Sequence, residues 1–387
     1  MKNTRIIILL PIFFGFFVMG FADVVGISTN YAKQDFALSD SLANLLPMMV
    51  FLWFFVLSVP VGLLMNKVGR KNTVLASMII SAIALLVPSV HYSFASALVA
   101  FALLGIGNTL IQVALNPLVT NVISSEKIPS SLTLGQCIKA SASMLGPVIA
   151  AFAFTHLGNW KLIFPVYAVV SIISAIWLAS VSIEREKSEG KTVSFGQCFG
   201  LLKNSYILML FIGILLIVGI DVGLNTTIPK YLMNKCNLAL DIAGNGTTLY
   251  FGARTIGTLF GTFILFKVPI KKLFLASASI AIVTFGVMLF SSGLYAIYAT
   301  IAIIGLACAN IFSMIFSLAI QKMPDKTNEI SGLMMMGVSG GALVLPIMGI
   351  LTDNFGLMGG MMVLLACLVY ILGFSILLFN KKEAISA

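Results

Sequence analysis

Two carboxylates stand in apolar surroundings at matching places in this chain. Asp23 lies in G-F-A-D-V-V-G-I-S-T-N-Y-A-K, Gly20 to Lys33, and Asp221 in G-I-D-V-G-L-N-T-T-I-P-K, Gly219 to Lys230. Each motif runs from glycine through a carboxylate to an Asn or Thr and then a lysine. Two cations, Lys139 and Arg254, also fall inside apolar stretches. A charge at the centre of a bilayer costs about 2.5–3.5 kcal/mol, so such side chains face a partner or a wet cavity. Two chemistries are open to this set. Asp23 with Lys139 and Asp221 with Arg254 can form structural ion pairs, or the carboxylates can take up and release protons while the cations meet a ligand.

Amides and hydroxyls accompany the charges at helical spacing. Asn108, Gln112 and Asn116 recur every fourth residue and share one helix face, and Gln136, Lys139 and Ser143 share another. Asp221 is followed one turn later by Asn225, and Tyr250 by Arg254. Such groups can hydrogen-bond a polyol, with Tyr250 against a sugar's apolar face. The competing role is interhelical packing, where polar contacts contribute around 0.6 kcal/mol each.

The elements that carry these residues are membrane helices. The chain has 387 residues, 59% hydrophobic and 9% charged, too little polar surface to cover a water-soluble globule. A spanning helix needs roughly 20 mainly apolar residues. That criterion predicts twelve spans near 6–32, 42–65, 74–90, 95–122, 131–156, 161–182, 206–232, 243–266, 272–292, 295–321, 328–352 and 357–379. The basic flank and apolar run at the start, without a small-residue cleavage site, read as the first span rather than a signal peptide. The net charge of +10 sits in short loops. Placing both termini in the cytoplasm puts most of the Lys and Arg there, with Lys33, Lys161, Lys230 and Lys235 outside, as the positive-inside rule requires. This distribution does not form a nucleic-acid patch.

The polar stretch Ile183 to Ser205 predicts a cytoplasmic linker between an N-terminal bundle, 1–182, and a C-terminal bundle, 206–387. The halves repeat each other. K-V-G-R-K-N-T-V-L-A-S at Lys67 answers K-V-P-I-K-K-L-F-L-A-S at Lys267, A-L-L-G-I at Ala102 answers A-I-I-G-L at Ala302, and Pro147 answers Pro346. A duplicated six-helix unit with midplane charges is the pattern of a carrier that binds its substrate between the repeats. Pro117 and Pro147 are expected to interrupt helices 4 and 5, and Gly337, Gly340 and Gly341 to loosen helix 11. The five cysteines lie far apart and the two histidines near helix ends, so neither a disulfide, a metal site nor an enzyme's catalytic set is suggested, and no cofactor is expected.

Between helices 2 and 3 stands G-L-L-M-N-K-V-G-R-K-N-T-V, Gly62 to Val74. It resembles the signature loop of the major facilitator superfamily. Gly62, Leu64, Lys67, Gly69, Arg70 and Lys71 match, and Asn66 stands where the family usually has Asp. The family resemblance implies a conformational role for this loop on the cytoplasmic side. G-N-T-L-I-Q-V-A-L-N-P-L-V-T at Gly107, L-G-Q at Leu134, I-F-S-L-A-I-Q-K-M-P at Ile315, G-A-L-V-L-P-I-M-G-I-L-T-D at Gly341, and Arg254 followed by Gly257 are similar to the fucose-galactose-glucose proton symporters. That resemblance implies an all-α fold of twelve transmembrane helices in two pseudo-symmetric six-helix bundles. It further implies import of a monosaccharide coupled to protons, by a monomer in the inner membrane. Gln112 replaces the helix 4 carboxylate of fucose-type members, so Asp23 or Asp221 must carry the proton. The substrate set is then Asn108, Gln112, Asn116, Gln136, Lys139, Asn225, Tyr250 and Arg254. Lys139 is a cation that a neutral hexose does not need, which keeps a sialic or uronic acid as the alternative substrate, its carboxylate held by Lys139 and Arg254.

Overall fold

The computed structural model describes residues 2–122, 128–183, 199–265, 267–323 and 326–380. It contains α1 (Ile8–Asp35), α2 (Leu45–Val68), α3 (Arg70–Val90), α4 (Phe94–Val122), α5 (Ile128–Leu157) and α6 (Ile163–Ser180). The second half contributes α7 (Ser205–Cys236), α8 (Leu240–Leu265), α9 (Ile270–Phe290) and α10 (Leu294–Lys322). The continuous helical stretch Gly332–Asn380 is divided at Gly356, whose φ of 68° and ψ of −176° leave the helical region, into α11 and α12. Twelve crossings result, arranged as two six-helix bundles. In hydrocarbon each backbone N–H must be satisfied within its own helix, which is why the irregular stretches are short and sit inside the protein.

Three of these stretches interrupt the long helices. Helix α1 tightens into a 3-10 turn at Gly20–Asp23, α10 breaks at Ala309 and Asn310, and α11 passes through a 3-10 turn at Gly337–Ser339. Mid-helix 3-10 turns often mark hinges. Gly20 is required at the first, because a Cβ there would meet the Lys139 carbonyl at 2.5 Å and the Ala142 Cβ at 2.7 Å. This close approach of α1 to α5 brings Asp23 next to Ser143. The expected interruptions at Pro117 and Pro147 do not occur. Helices α4 and α5 run through both prolines, each of which removes only the one backbone bond to the carbonyl four residues earlier. The Pro117 carbonyl accepts from the Arg70 guanidinium at 3.0 Å.

The bundles meet along α1 with α7, α2 with α11, and α5 with α8. We call the face carrying residues 36–39 and 237–239 distal, and the face carrying Gly69 proximal. On the distal face Tyr92, outside the spans, donates to Asp35 at 2.7 Å, and the Trp160 indole donates to the same carboxylate at 2.9 Å. Burial and the neighbouring carboxylate push the Tyr92 hydroxyl well above its ordinary range, so it remains a donor. The Ile183 to Ser205 stretch is described only in part, and residues 184–198 lie outside the described residues.

Candidate functional site at the bundle interface

The two motif carboxylates point into the interface with different company. Asp221, on α7, receives the Arg254 guanidinium at 3.0 Å on one oxygen and the Tyr250 hydroxyl at 2.6 Å on the other. Both partners come from α8, one helical turn apart, so a single helix face supplies the whole shell. Tyr250 is fully buried, and the Arg254 guanidinium lies 5.9 Å from the centre of its ring. Every oxygen of this carboxylate is satisfied by its own half.

Asp23 has no such cation. One of its oxygens accepts from the Ser143 hydroxyl of α5 at 2.5 Å, and the Asn225 amide of the other half donates to its backbone carbonyl at 2.9 Å. Among the described residues it makes no ion pair. Lys139 sits one turn from Ser143, whose hydroxyl also donates to the Lys139 carbonyl at 3.1 Å. Its ammonium likewise forms no ion pair among the described residues, although Lys139 and Asp23 both lie within electrostatic reach of Asp221. Of the two ion pairs the sequence leaves open, the structure contains Asp221 with Arg254 and not Asp23 with Lys139.

Asn225 ties the halves together at this level. Its side chain fills the space over Gly26, where any Cβ would collide with it. The remaining amides are less engaged. Asn108 is buried, Gln112 and Asn116 are half-buried, and Gln136 is exposed. None of the four has a side-chain hydrogen bond among the described residues, and the buried carbonyl oxygen of Asn116 is without a partner. They thus offer donors and acceptors that the fold itself does not use.

The α2–α3 loop is a set of helix-end contacts. Gly69 takes φ 91° and ψ 154° at the junction, a conformation open to glycine at low cost. The Lys71 ammonium bonds the Ala179 and Val181 carbonyls at 3.1 and 2.6 Å, at the C-terminal end of α6, where the helix dipole favours a cation. Gly62 faces open space, Lys67 is exposed, and the side chain of Asn66 lies outside the described residues.

Four further residues form a polar cluster on the distal face that sequence reasoning did not single out as a site. Asp40 is gripped by Lys33 of its own half, at 2.5 Å, and by Lys230 of the other. Asp353 of α11 accepts the backbone N–H groups of Asp40 at 2.7 Å and Ser41 at 2.9 Å. The matching lysines at the ends of the two motifs were the available signal.

A membrane protein of two six-helix bundles with a charged interface is a carrier architecture, and the family model described as Major Facilitator Superfamily matches residues 12–346. The chain belongs to that superfamily, and is a transport protein rather than an enzyme. It is 26% identical over 376 residues, 92% of this chain and 90% of the relative, to a glucose/galactose transporter of Brucella abortus. It is 27% identical over 396 residues, 95% of this chain and 96% of the relative, to a putative glucose/galactose transporter of Helicobacter pylori. Its fold is that of the Escherichia coli fucose:proton symporter, with a TM-score of 0.71 at 18% identity, covering 98% of this chain and all of that one.

Proposed function

We propose that this protein imports a monosaccharide of the glucose, galactose or fucose kind by proton symport, as a monomer in the inner membrane with both termini in the cytoplasm. Residues 1–182 and 206–387 are the moving halves and 183–205 their tether. The proximal face is then cytoplasmic, in keeping with the excess of Lys and Arg there. The names of the Brucella and Helicobacter relatives support the sugar class.

The observation that carries the coupling is the unequal treatment of the two carboxylates. A proton carrier must be charged in one state of the cycle and neutral in another. Asp221 is paired with Arg254 within its own half, whereas Asp23 has one hydroxyl and, among the described residues, no counter-ion. Asp23 is thus the coupling residue and Asp221 an anchor that orients Arg254 and Tyr250. The unengaged amides Asn108, Gln112, Asn116 and Gln136 and the Tyr250–Arg254 face bind the sugar's hydroxyls between the halves.

A second reading has its own observation. Lys139 is an interface cation without an ion pair among the described residues, and a sugar acid brings the carboxylate it lacks. Arg254, already neutralised by Asp221, contributes less to that carboxylate than Lys139 does. Uptake of labelled neutral and acidic sugars by cells expressing the protein, with and without a proton uncoupler, tests both readings. Uncoupler-sensitive accumulation of a neutral hexose supports the first; accumulation of a uronic or sialic acid alone supports the second. Uncoupler-insensitive uptake of every sugar contradicts symport.

A further inference from the structure

The distal face is closed by one carboxylate shared between two lysines. Lys33 and Asp40 belong to the first half, Lys230 and Asp353 to the second, so each half holds one cation and one anion. In the closed arrangement three of the four charges meet at Asp40, whose side chain is 11% exposed. The fourth, Asp353, turns away to the backbone of Asp40 and Ser41 across the interface, yet lies near enough to Lys230 to be felt electrostatically. Beside this cluster is a cavity of about 480 Å³ bordered by Asn30, Gln34 and Asn234. When the halves part on this side, every bond to Asp40 from the second half must break. Lys230 would then leave a nearly buried environment without its anion, a costly step.

We propose that the four residues form a charge-exchange gate, in which opening the distal face leaves Lys33 on Asp40 in one half and passes Lys230 to Asp353 in the other. Each half then leaves the interface internally neutral. Asp353 has two roles: it staples the closed state through two backbone N–H groups, and it receives Lys230 in the open state. The gate is one-sided in the duplication, because Leu240 stands in the second half where Asp40 stands in the first. The inference concerns the distal opening and holds for whatever substrate passes.

The exchange makes a prediction that a simple latch does not. Spin labels at Gln34→Cys and Asn234→Cys, both exposed on the distal rim, report opening as distance in a background with the native cysteines replaced. Asp40→Asn takes the shared anion from between the two lysines, and a longer-distance population becomes the majority. Asp353→Asn removes the anion awaiting Lys230, which favours shorter distances, and one of the two oxygens that accept backbone N–H groups, which favours longer ones. In a Lys230→Met background there is no cation to receive and only the second effect remains, so Asp353→Asn lengthens the distances more there than in the otherwise wild-type protein. An effect of Asp353→Asn that is the same in both backgrounds, or an Asp40→Asn protein that stays closed, overturns the proposal.

Discussion

Asp23 and Asp221 stand 198 residues apart, at similar depth in the first helix of each half, and differ in what their neighbours offer. The helix that serves Asp221 is α8, which presents Tyr250 and Arg254 one turn apart. The corresponding positions of α2 are Val50 and Phe54, both fully buried. The repeat register is tight in this region: Ala37 and Asn237 both adopt positive φ, at 48° and 51°, at the same step of their loops. The first half therefore has no cation at the place from which the second half neutralises its carboxylate. Asp23 turns instead to α5, where Gly20 lets the backbones approach and Ser143 is within reach. Each half thus keeps an acid in its first helix, but only the second supplies that acid with a cation from its own bundle.

The largest effect comes from breaking the anchored pair. Asp221→Asn leaves Arg254 uncompensated inside the bundle, and removing one partner of a buried pair costs about 3–5 kcal/mol. The expected result is a marked fall in the thermal unfolding midpoint of the purified protein in detergent. Asp221→Leu combined with Arg254→Leu should recover much of the loss, because apolar replacement of a whole buried pair is often neutral. Equal instability in the single and double variants would mean that the pair is not what holds α7 to α8.

Asp23→Asn tests the other side of the comparison. The amide still accepts from Ser143, and no cation is stranded, so the midpoint should move far less than in Asp221→Asn. Accumulation of sugar against a gradient should fall by at least about tenfold, equivalent to 1.4 kcal/mol or more, while exchange of internal for external sugar continues. Counterflow in proteoliposomes measures the second quantity and uptake under an imposed proton gradient the first. If the variant still concentrates sugar, coupling resides elsewhere and the two carboxylates do not differ in the way argued here.

The fold was legible in the sequence because the bilayer imposes one length and one polarity on every span, and because repeated loop residues align the halves. The Asp221–Arg254 contact was legible for a related reason, as charges confined to apolar helices must find one another. What the motifs did not disclose was partner choice for Asp23. Its nearest cation in the sequence reading, Lys139, lies on the same helix as Ser143, but the 3-10 turn at Gly20–Asp23 presents the carboxylate to the hydroxyl. Asp40 escaped notice because its counterpart is Leu240, so no repeat draws attention to it. The first omission depends on backbone geometry at a single turn, which apolar periodicity does not encode, and the second on a residue that the duplication does not repeat.

Lys139→Met separates the two substrate classes. A hydrogen bond to a charged group contributes about 1.5–3 kcal/mol, which is roughly tenfold to more than a hundredfold in the affinity of an acidic sugar. A neutral hexose has no carboxylate for this ammonium, so its KM should change much less. Competition of unlabelled acidic and neutral sugars against labelled substrate measures the ratio. A larger loss for neutral than for acidic sugars would place Lys139 on a hydroxyl and remove the case for an anionic substrate.

The smallest expected effect lies at Asn225, whose side chain donates a hydrogen bond to the backbone carbonyl of Asp23 from the second half. Asn225→Ala removes a neutral hydrogen bond, about 0.5–1.5 kcal/mol, and also empties the space over Gly26 against which its amide packs. Both changes act where the halves touch and neither alters a charge, so the carboxylate keeps its Ser143 hydrogen bond. Exchange should slow or quicken by a few-fold as the balance between facing states shifts, whereas the accumulation ratio at steady state should stay at the wild-type level. That ratio depends on whether a proton accompanies each sugar, not on how fast the halves rock. A variant that exchanges normally yet loses accumulation would show that Asn225 governs the protonation of Asp23 through its carbonyl, and the first-half carboxylate would then need a second-half residue to titrate.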